Sequence, residues 1–329
     1  MNTVVRVFRQ TVPFVAVTLL FAVAASGEEV RVMTSGGFTA AYLELVPQFE
    51  QATHNTIISA FGASMGDSPD SIPSRLRRGE PVDVVILAAS ALDDLIKAGK
   101  VVAGSRVDLV RSRIGMAVKA GAPKPDISSV DALKRTLLNA KSIAYSDSAS
   151  GVYLSTVLFA RLGIAEQMKN RSRKVQGNER VGTVVARGDA EIGFQQISEL
   201  LPVPGITYVG PLPPGAQQVT IFSAGIAVGA RAPQAAAALI AFFTSPQAAP
   251  VIKKSGLEPM VRPGRLIRPY GRGANTAFDG RFRYCRCFTA SYMKMQENGA
   301  HTQTIAASSG KDAVFDDHAP TKYPIIPRG

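Results

Sequence analysis

Val82-Asp-Val-Val-Ile-Leu-Ala88 is an apolar run of strand length, and its near-continuous hydrophobicity predicts a strand covered on both faces. Such a strand needs helices above and below it, which a parallel sheet with crossover helices provides. The flanking sequence supplies them. Ser90 to Ala98 reads as a helix directly downstream. Upstream, Val30-Arg-Val-Met-Thr34 and Thr56 to Phe61 read as strands. Thr39 to Thr53 reads as a helix with Leu43, Val46 and Phe49 on one face, and Ser71 to Gly79 as a short helix. The resulting β-α-β-α-β-α order is the pattern of an open α/β sheet.

A second unit repeats the logic. Arg113 to Lys119, Ser142 to Tyr145, Ala190 to Gln195 and Val219 to Val228 read as strands. Val130 to Asn139 (capped by Ser128 or Ser129), Gly151 to Leu162, Val181 to Arg187, Ala232 to Thr244 and Ser245 to Ser255 read as helices. Pro202, Pro204, Pro211, Pro213 and Pro214 mark a loop-rich stretch between them. The expected architecture is two α/β lobes with a cleft between them.

The 329 residues leave room for about two domains, and 46% apolar with 19% charged residues is a globular balance. The net charge of +12 is spread thinly, with 11 basic and 5 acidic residues from Arg262 to Gly329 and the remainder in the body. Nucleic-acid binding, which needs a concentrated basic stripe, is not expected. Cys285 and Cys287 both lie near the C-terminus, and His54, His301 and His318 are scattered, so neither a disulfide framework nor a metal site is expected in the body. Met1 to Gln10 carries Arg6 and Arg9 and no acid, Thr11 to Ala25 is almost wholly apolar, and small residues follow. Residues 1–26 therefore read as a secretory signal peptide, too short at about 15 apolar residues to span a bilayer. Residues 263–329, broken throughout by Gly, Arg and Ser, are expected to form a disordered basic tail.

Three loops share one chemistry: Thr34-Ser-Gly-Gly-Phe-Thr39, Phe61-Gly-Ala-Ser-Met-Gly66 and Ser146-Asp-Ser-Ala-Ser-Gly-Val-Tyr153. Each follows a strand and opens or precedes a helix, where unpaired N–H groups and the helix dipole attract anions. Hydroxyls add donors without adding charge. One such loop alone reads as an N-cap; two from one lobe and one from the other point to an anion site. Ser35, Gly37, Thr39, Ser64, Met65, Ser150, Gly151 and Tyr153 are its candidate lining. Gln195 and Gln196 end a strand ahead of an expected helix cap at Ser198, and their amides would read donors and acceptors in the same cleft. No phosphate-loop motif, no GxSxG and no Ser-His-Asp set is present, and no cofactor is expected.

These loops, with Gly79-Glu-Pro-Val-Asp-Val84, Ser150-Gly-Val-Tyr153, Ala186-Arg-Gly-Asp-Ala-Glu-Ile-Gly193, Ser245-Pro-Gln-Ala248 and Gly256-Leu-Glu-Pro259, resemble the periplasmic molybdate-binding family of type II solute-binding proteins. The likeness runs from about Glu28 to Pro259. It implies a type II periplasmic binding protein fold, with lobe 1 formed by residues 27–110 and 226–262 and lobe 2 by 111–225. It also implies a periplasmic monomer that closes on a small anion and delivers it to the permease of an ABC importer. The family's second-loop serine matches Ser64, and a further ligand position falls on Ser150. Its first-loop serine falls on Gly37 and its tyrosine on Gln196, so the ligand is either a molybdate- or tungstate-like oxyanion or an organic carboxylate. Periplasmic aconitate isomerases are similar to the same scaffold, which makes isomerisation of a small polycarboxylate the alternative. That reaction needs a positioned acid–base group, and Asp67, Asp147 and Tyr153 are the carriers these loops offer.

Overall fold

The computed structural model describes residues 27–176 and 179–260; the expected signal peptide and the tail with Cys285 and Cys287 lie outside them. The chain begins with β1 (Glu29–Ser35), α1 (Gly36–Thr53), β2 (Thr56–Gly62), α2 (Ile72–Arg77), β3 (Val84–Ala88) and α3 (Ala89–Lys97). β4 (Val107–Lys119) and α4 (Val130–Asn139) lead to β5 (Ile143–Ser146). α5 (Ala149–Tyr153) then passes through a π-helical turn, Leu154–Leu158, into α6 (Phe159–Arg161). α7 (Ala165–Lys169), β6 (Ser172–Val175), α8 (Val181–Arg187), β7 (Ile192–Gln196), α9 (Ile197–Leu200) and β8 (Ile206–Pro211) complete the second lobe. β9 (Val219–Ile226), α10 (Pro233–Phe243), α11 (Ala249–Lys254) and β10 (Glu258–Pro259) return to the first.

The strands form one curled sheet in the order β2-β1-β3-β9-β4-β7-β5-β6, with β8 and β10 also on β4. β1 pairs in parallel with β2 and β3, and β5 with β6 and β7. The join between the halves is antiparallel. Val107 to Arg113 of β4 lie beside β9, and Ile114 to Lys119 beside β7 and β8.

All five residues of β3 are buried, as its apolar run predicts. On one face of the first-lobe sheet, α1 contributes Phe38, Tyr42, Leu45 and Phe49, with Phe38 edge-on to Phe243 of α10 at 5.3 Å. On the other face Ile72, Leu76, Leu92 and Leu95 pack against Met33, Val85 and Leu87. The second lobe is also covered on both sides, by Leu133, Leu137 and Phe159 on one face and by Val181, Val184 and Val185 on the other. Asp83 is buried because its carboxylate accepts from the N–H groups of Arg31, Arg231 and Ala232. It ties β1, β3 and the start of α10 together at the end of the sheet opposite the loops.

Five elements differ from the expectation. α1 begins at Gly36, because the glycines that read as loop continue into helix. β4 begins at Val107, so the lobe boundary expected between 110 and 111 falls inside one strand. β6 is largely exposed and β8 sits in the proline-rich stretch, and neither carries an apolar period. The helix after β7 is capped by Gln196 instead of Ser198. Among the described residues no helix is long and apolar enough to cross a membrane, and no cluster of His, Cys, Asp and Glu is placed to hold a metal ion.

Candidate functional site

β1 runs directly into α1, an 18-residue helix whose first turn holds no acidic residue. Its N-cap, Ser35, is extended at φ −89° and ψ 159°, and its hydroxyl makes no capping bond. Ser35 Oγ and Thr34 Oγ1 are both buried without a hydrogen-bond partner among the described residues. A buried hydroxyl without a partner costs stability, and at a helix's positive pole it is free to donate to an acceptor. Thr39 differs: its hydroxyl donates back to the Ser35 carbonyl at 3.1 Å.

Gly36 and Gly37 leave room for side chains packed against the start of α1. A β-carbon on Gly36 would stand 2.0 Å from Glu199 Oε1, and one on Gly37 would stand 2.1 Å from Phe222 Cζ. The Ser198 hydroxyl donates to the Gly37 carbonyl at 2.8 Å, drawing α9 onto the start of α1. The serine that the family resemblance places at Gly37 has no room here.

Ser64, fully buried, accepts from the Ala88 N–H at 2.9 Å, joining the loop after β2 to the end of β3. Its own O–H is left to donate. The Ser64 N–H donates to Ser148 Oγ at 3.3 Å, a second bond between the lobes. Met65 packs against both first-lobe cores. Asp67 points away from this closure, its side chain 99% exposed and 3.6 Å from Arg77.

In the second lobe, Ser150 is buried with its hydroxyl 3.2 Å from that of Ser146. Gly151 permits this tight start of α5, since a β-carbon there would meet the Ser146 carbonyl at 1.6 Å. The Tyr153 hydroxyl donates to the Ala216 carbonyl at 3.0 Å and anchors α5 to the core. Asp147 stands beside Gly66 at the meeting of the two lobes.

The end of β7 holds the group that the sequence reading missed. Gln195 Oε1 accepts from the Val181 N–H at 3.2 Å, and Nε2 donates to Glu199 Oε1 at 2.8 Å. Gln196 donates through Nε2 to Thr220 Oγ1 at 3.1 Å, while its Oε1 is buried and has no partner among the described residues. The Gln196 N–H also bonds to the Glu199 carboxyl. Burial pushes that carboxyl up to about 7, against the opposing pull of Arg180, Gln195 and the Gln196 N–H. Glu199 thus sits against the start of α1, able to hold or release a proton near neutrality. In the sequence, a glutamate three residues after a strand end looks like an ordinary helix-cap partner, and only the tertiary contact with Gly36 distinguishes it.

Residues 30–258 match the family model described as bacterial extracellular solute-binding protein. The chain is 49% identical to an aconitate isomerase from Pseudomonas sp over 229 residues, 70% of this chain and 87% of that one. It is 29% identical to the molybdate-binding protein of Azotobacter vinelandii over 249 residues, 72% and 92% of the two chains. The solved periplasmic molybdate-binding protein of Azotobacter vinelandii superposes with a TM-score of 0.55 at 20% identity, covering 69% of this chain and 98% of the other.

Proposed function

The chain belongs to the bacterial extracellular solute-binding protein family, and we propose that it captures a small organic polycarboxylate between its lobes in the periplasm, for delivery to an ABC importer. The observation that carries the reading is Ser35, a buried N-cap hydroxyl without a partner among the described residues, at the start of a long helix. Ser64 offers a second free O–H, and Arg180 at the N-cap of α8 brings positive charge close to the Glu199 carboxyl. The absence of a serine at Gly37, and Gln196 in place of the family tyrosine, favour a carboxylate over a compact tetrahedral oxyanion. Amide and carboxyl groups match the several oxygens of a polycarboxylate. A thermal-shift panel of molybdate, tungstate, sulfate, citrate and both aconitate isomers tests this. Ligand at one hundred times Kd stabilises by about 2.7 kcal/mol. The tricarboxylates should raise the melting temperature, and a response to molybdate alone would return the ligand to the oxyanion class.

A second reading is that the captured molecule is also converted, as an isomerase of a polycarboxylate. Two observations favour it: the 49% identity to an aconitate isomerase, and the placement of Glu199 where a simple anion receptor gains nothing from a carboxyl. Purified protein mixed with cis- or trans-aconitate, without cofactor, should then bring both to one equilibrium mixture.

A further inference from the structure

We propose that Glu199 is the proton carrier of this site, the group that removes and returns the proton when a bound allylic polycarboxylate isomerises. The proposal rests on the isomerase reading.

The geometry sets Glu199 apart from the other acids near the cleft. Asp67 is solvent-exposed and directed at Arg77. The Tyr153 hydroxyl is committed to a backbone carbonyl. Asp147, at the end of β5 in the same lobe, stands beside Gly66 with interactions of its own. Glu199 alone among these abuts the N-terminus of α1, where Gly36 leaves its carboxyl the space that a β-carbon would fill. It is held by the Gln195 amide, itself locked by the Val181 N–H, so the carboxyl is positioned by a chain of hydrogen bonds and not by its own flexibility. A capping role would be served by the bond to the Gln196 N–H alone. It requires neither the glycine cradle nor the amide clamp.

The step balances without any further reactant. The Glu199 carboxylate takes a proton from the methylene carbon that lies between a carboxylate and the double bond. The C–H electron pair spreads over the three-carbon allylic unit and its carboxylates. The neutral Glu199 carboxyl then gives a proton to the former vinylic carbon at the far end, moving the double bond and restoring the carboxylate. Nothing is oxidised or reduced. Negative charge building on the substrate carboxylates meets the N-terminus of α1 and the Ser35 and Ser64 hydroxyls. A carboxyl that titrates near neutrality can serve both halves of the exchange.

The test uses the purified full-length protein with cis- and trans-aconitate, comparing wild type, Glu199→Gln and Glu199→Asp by turnover and by ligand-induced thermal shift. Glu199→Gln should lower kcat by about 10²–10⁴ with KM and the thermal shift little changed. Glu199→Asp, whose carboxyl is withdrawn by about one methylene, should fall between the two, at roughly a hundredth of wild type. If the glutamine variant fails to fold, the aspartate variant decides alone. Wild-type turnover that survives in these variants to within tenfold overturns the role of Glu199 and leaves the isomerase reading standing. Wild type that binds aconitate without converting it overturns the isomerase reading, and this proposal with it.

Discussion

Ser35 and Ser64 look alike in the sequence, yet the structure gives them opposite balances of stability and binding. Ser35 Oγ bonds to nothing among the described residues, so Ser35→Ala removes a buried polar atom and should leave the ligand-free melting temperature unchanged or slightly higher. Its cost should appear in affinity, about 1.5–3 kcal/mol for a hydrogen bond to a charged ligand. Ser64→Ala instead strands the Ala88 N–H and should lower stability by about 1–3 kcal/mol even without ligand. Paired denaturation and titration curves check both. Glu199 adds a pH signature. Its carboxyl moves from an ordinary 4.5 to about 7 on folding, so its neutral form is the favoured one. The stability it allows is complete below about pH 4.5 and is lost as pH rises through about 7, a loss of up to ~3 kcal/mol. Glu199→Gln should therefore melt close to wild type at pH 4 and several degrees higher at pH 8. The three serine-rich loops were legible as strand-to-helix turns, because hydroxyls and glycines gather where a strand ends and a helix begins. Glu199 was not, because its meaning depends on Gly36, more than 160 residues away.

Elements that announce themselves by apolar period, such as β3 and α4, agree with the sequence reading closely. Those that missed do so for identifiable reasons. β6, Ser172-Arg-Lys-Val175, is exposed at Arg173 and Lys174 and gains its strand form by pairing with β5. β4 looks shorter than it is because Arg111 and Arg113 interrupt its apolar run with exposed positions. Its outer half is fixed by β9 and β10, partners drawn from the far end of the chain. Asp83 also reads as an oddity, a charge inside the most apolar strand segment, until its three backbone donors are seen. Asp83→Ala leaves those donors without an acceptor and should destabilise by about 3–5 kcal/mol. Since Asp83 lies at the opposite end of the sheet from the loops, whatever fraction remains folded should bind ligand with wild-type affinity, as isothermal titration can show.

At the scale of the whole molecule, the lobes share β4 and β9 and touch through few polar bonds, among them Ser64 to Ser148 and Ser198 to Gly37. A ligand bridging the lobes would add to these contacts and bias the chain toward the closed arrangement. Ser198→Ala should weaken binding by about 1 kcal/mol, some fivefold in Kd, mainly through faster dissociation, with the ligand-free melting temperature within about two degrees of wild type. The strand order carries a consequence of a different kind. β9 lies between β3 and β4, although some 130 residues separate it in sequence from the end of β3. A chain emerging with its N-terminus first thus has β1, β2 and β3 in hand long before the strand that joins them to the rest. Until Val219–Ile226 arrives, the edge of β3 has no neighbour and the second lobe has no hinge to swing on. The first lobe is started first and closed late, so assembly waits on about two thirds of the chain, and pairing at such long range should make folding slow. A first lobe that cannot close before Val219–Ile226 is made keeps its early strands in a loose form until then.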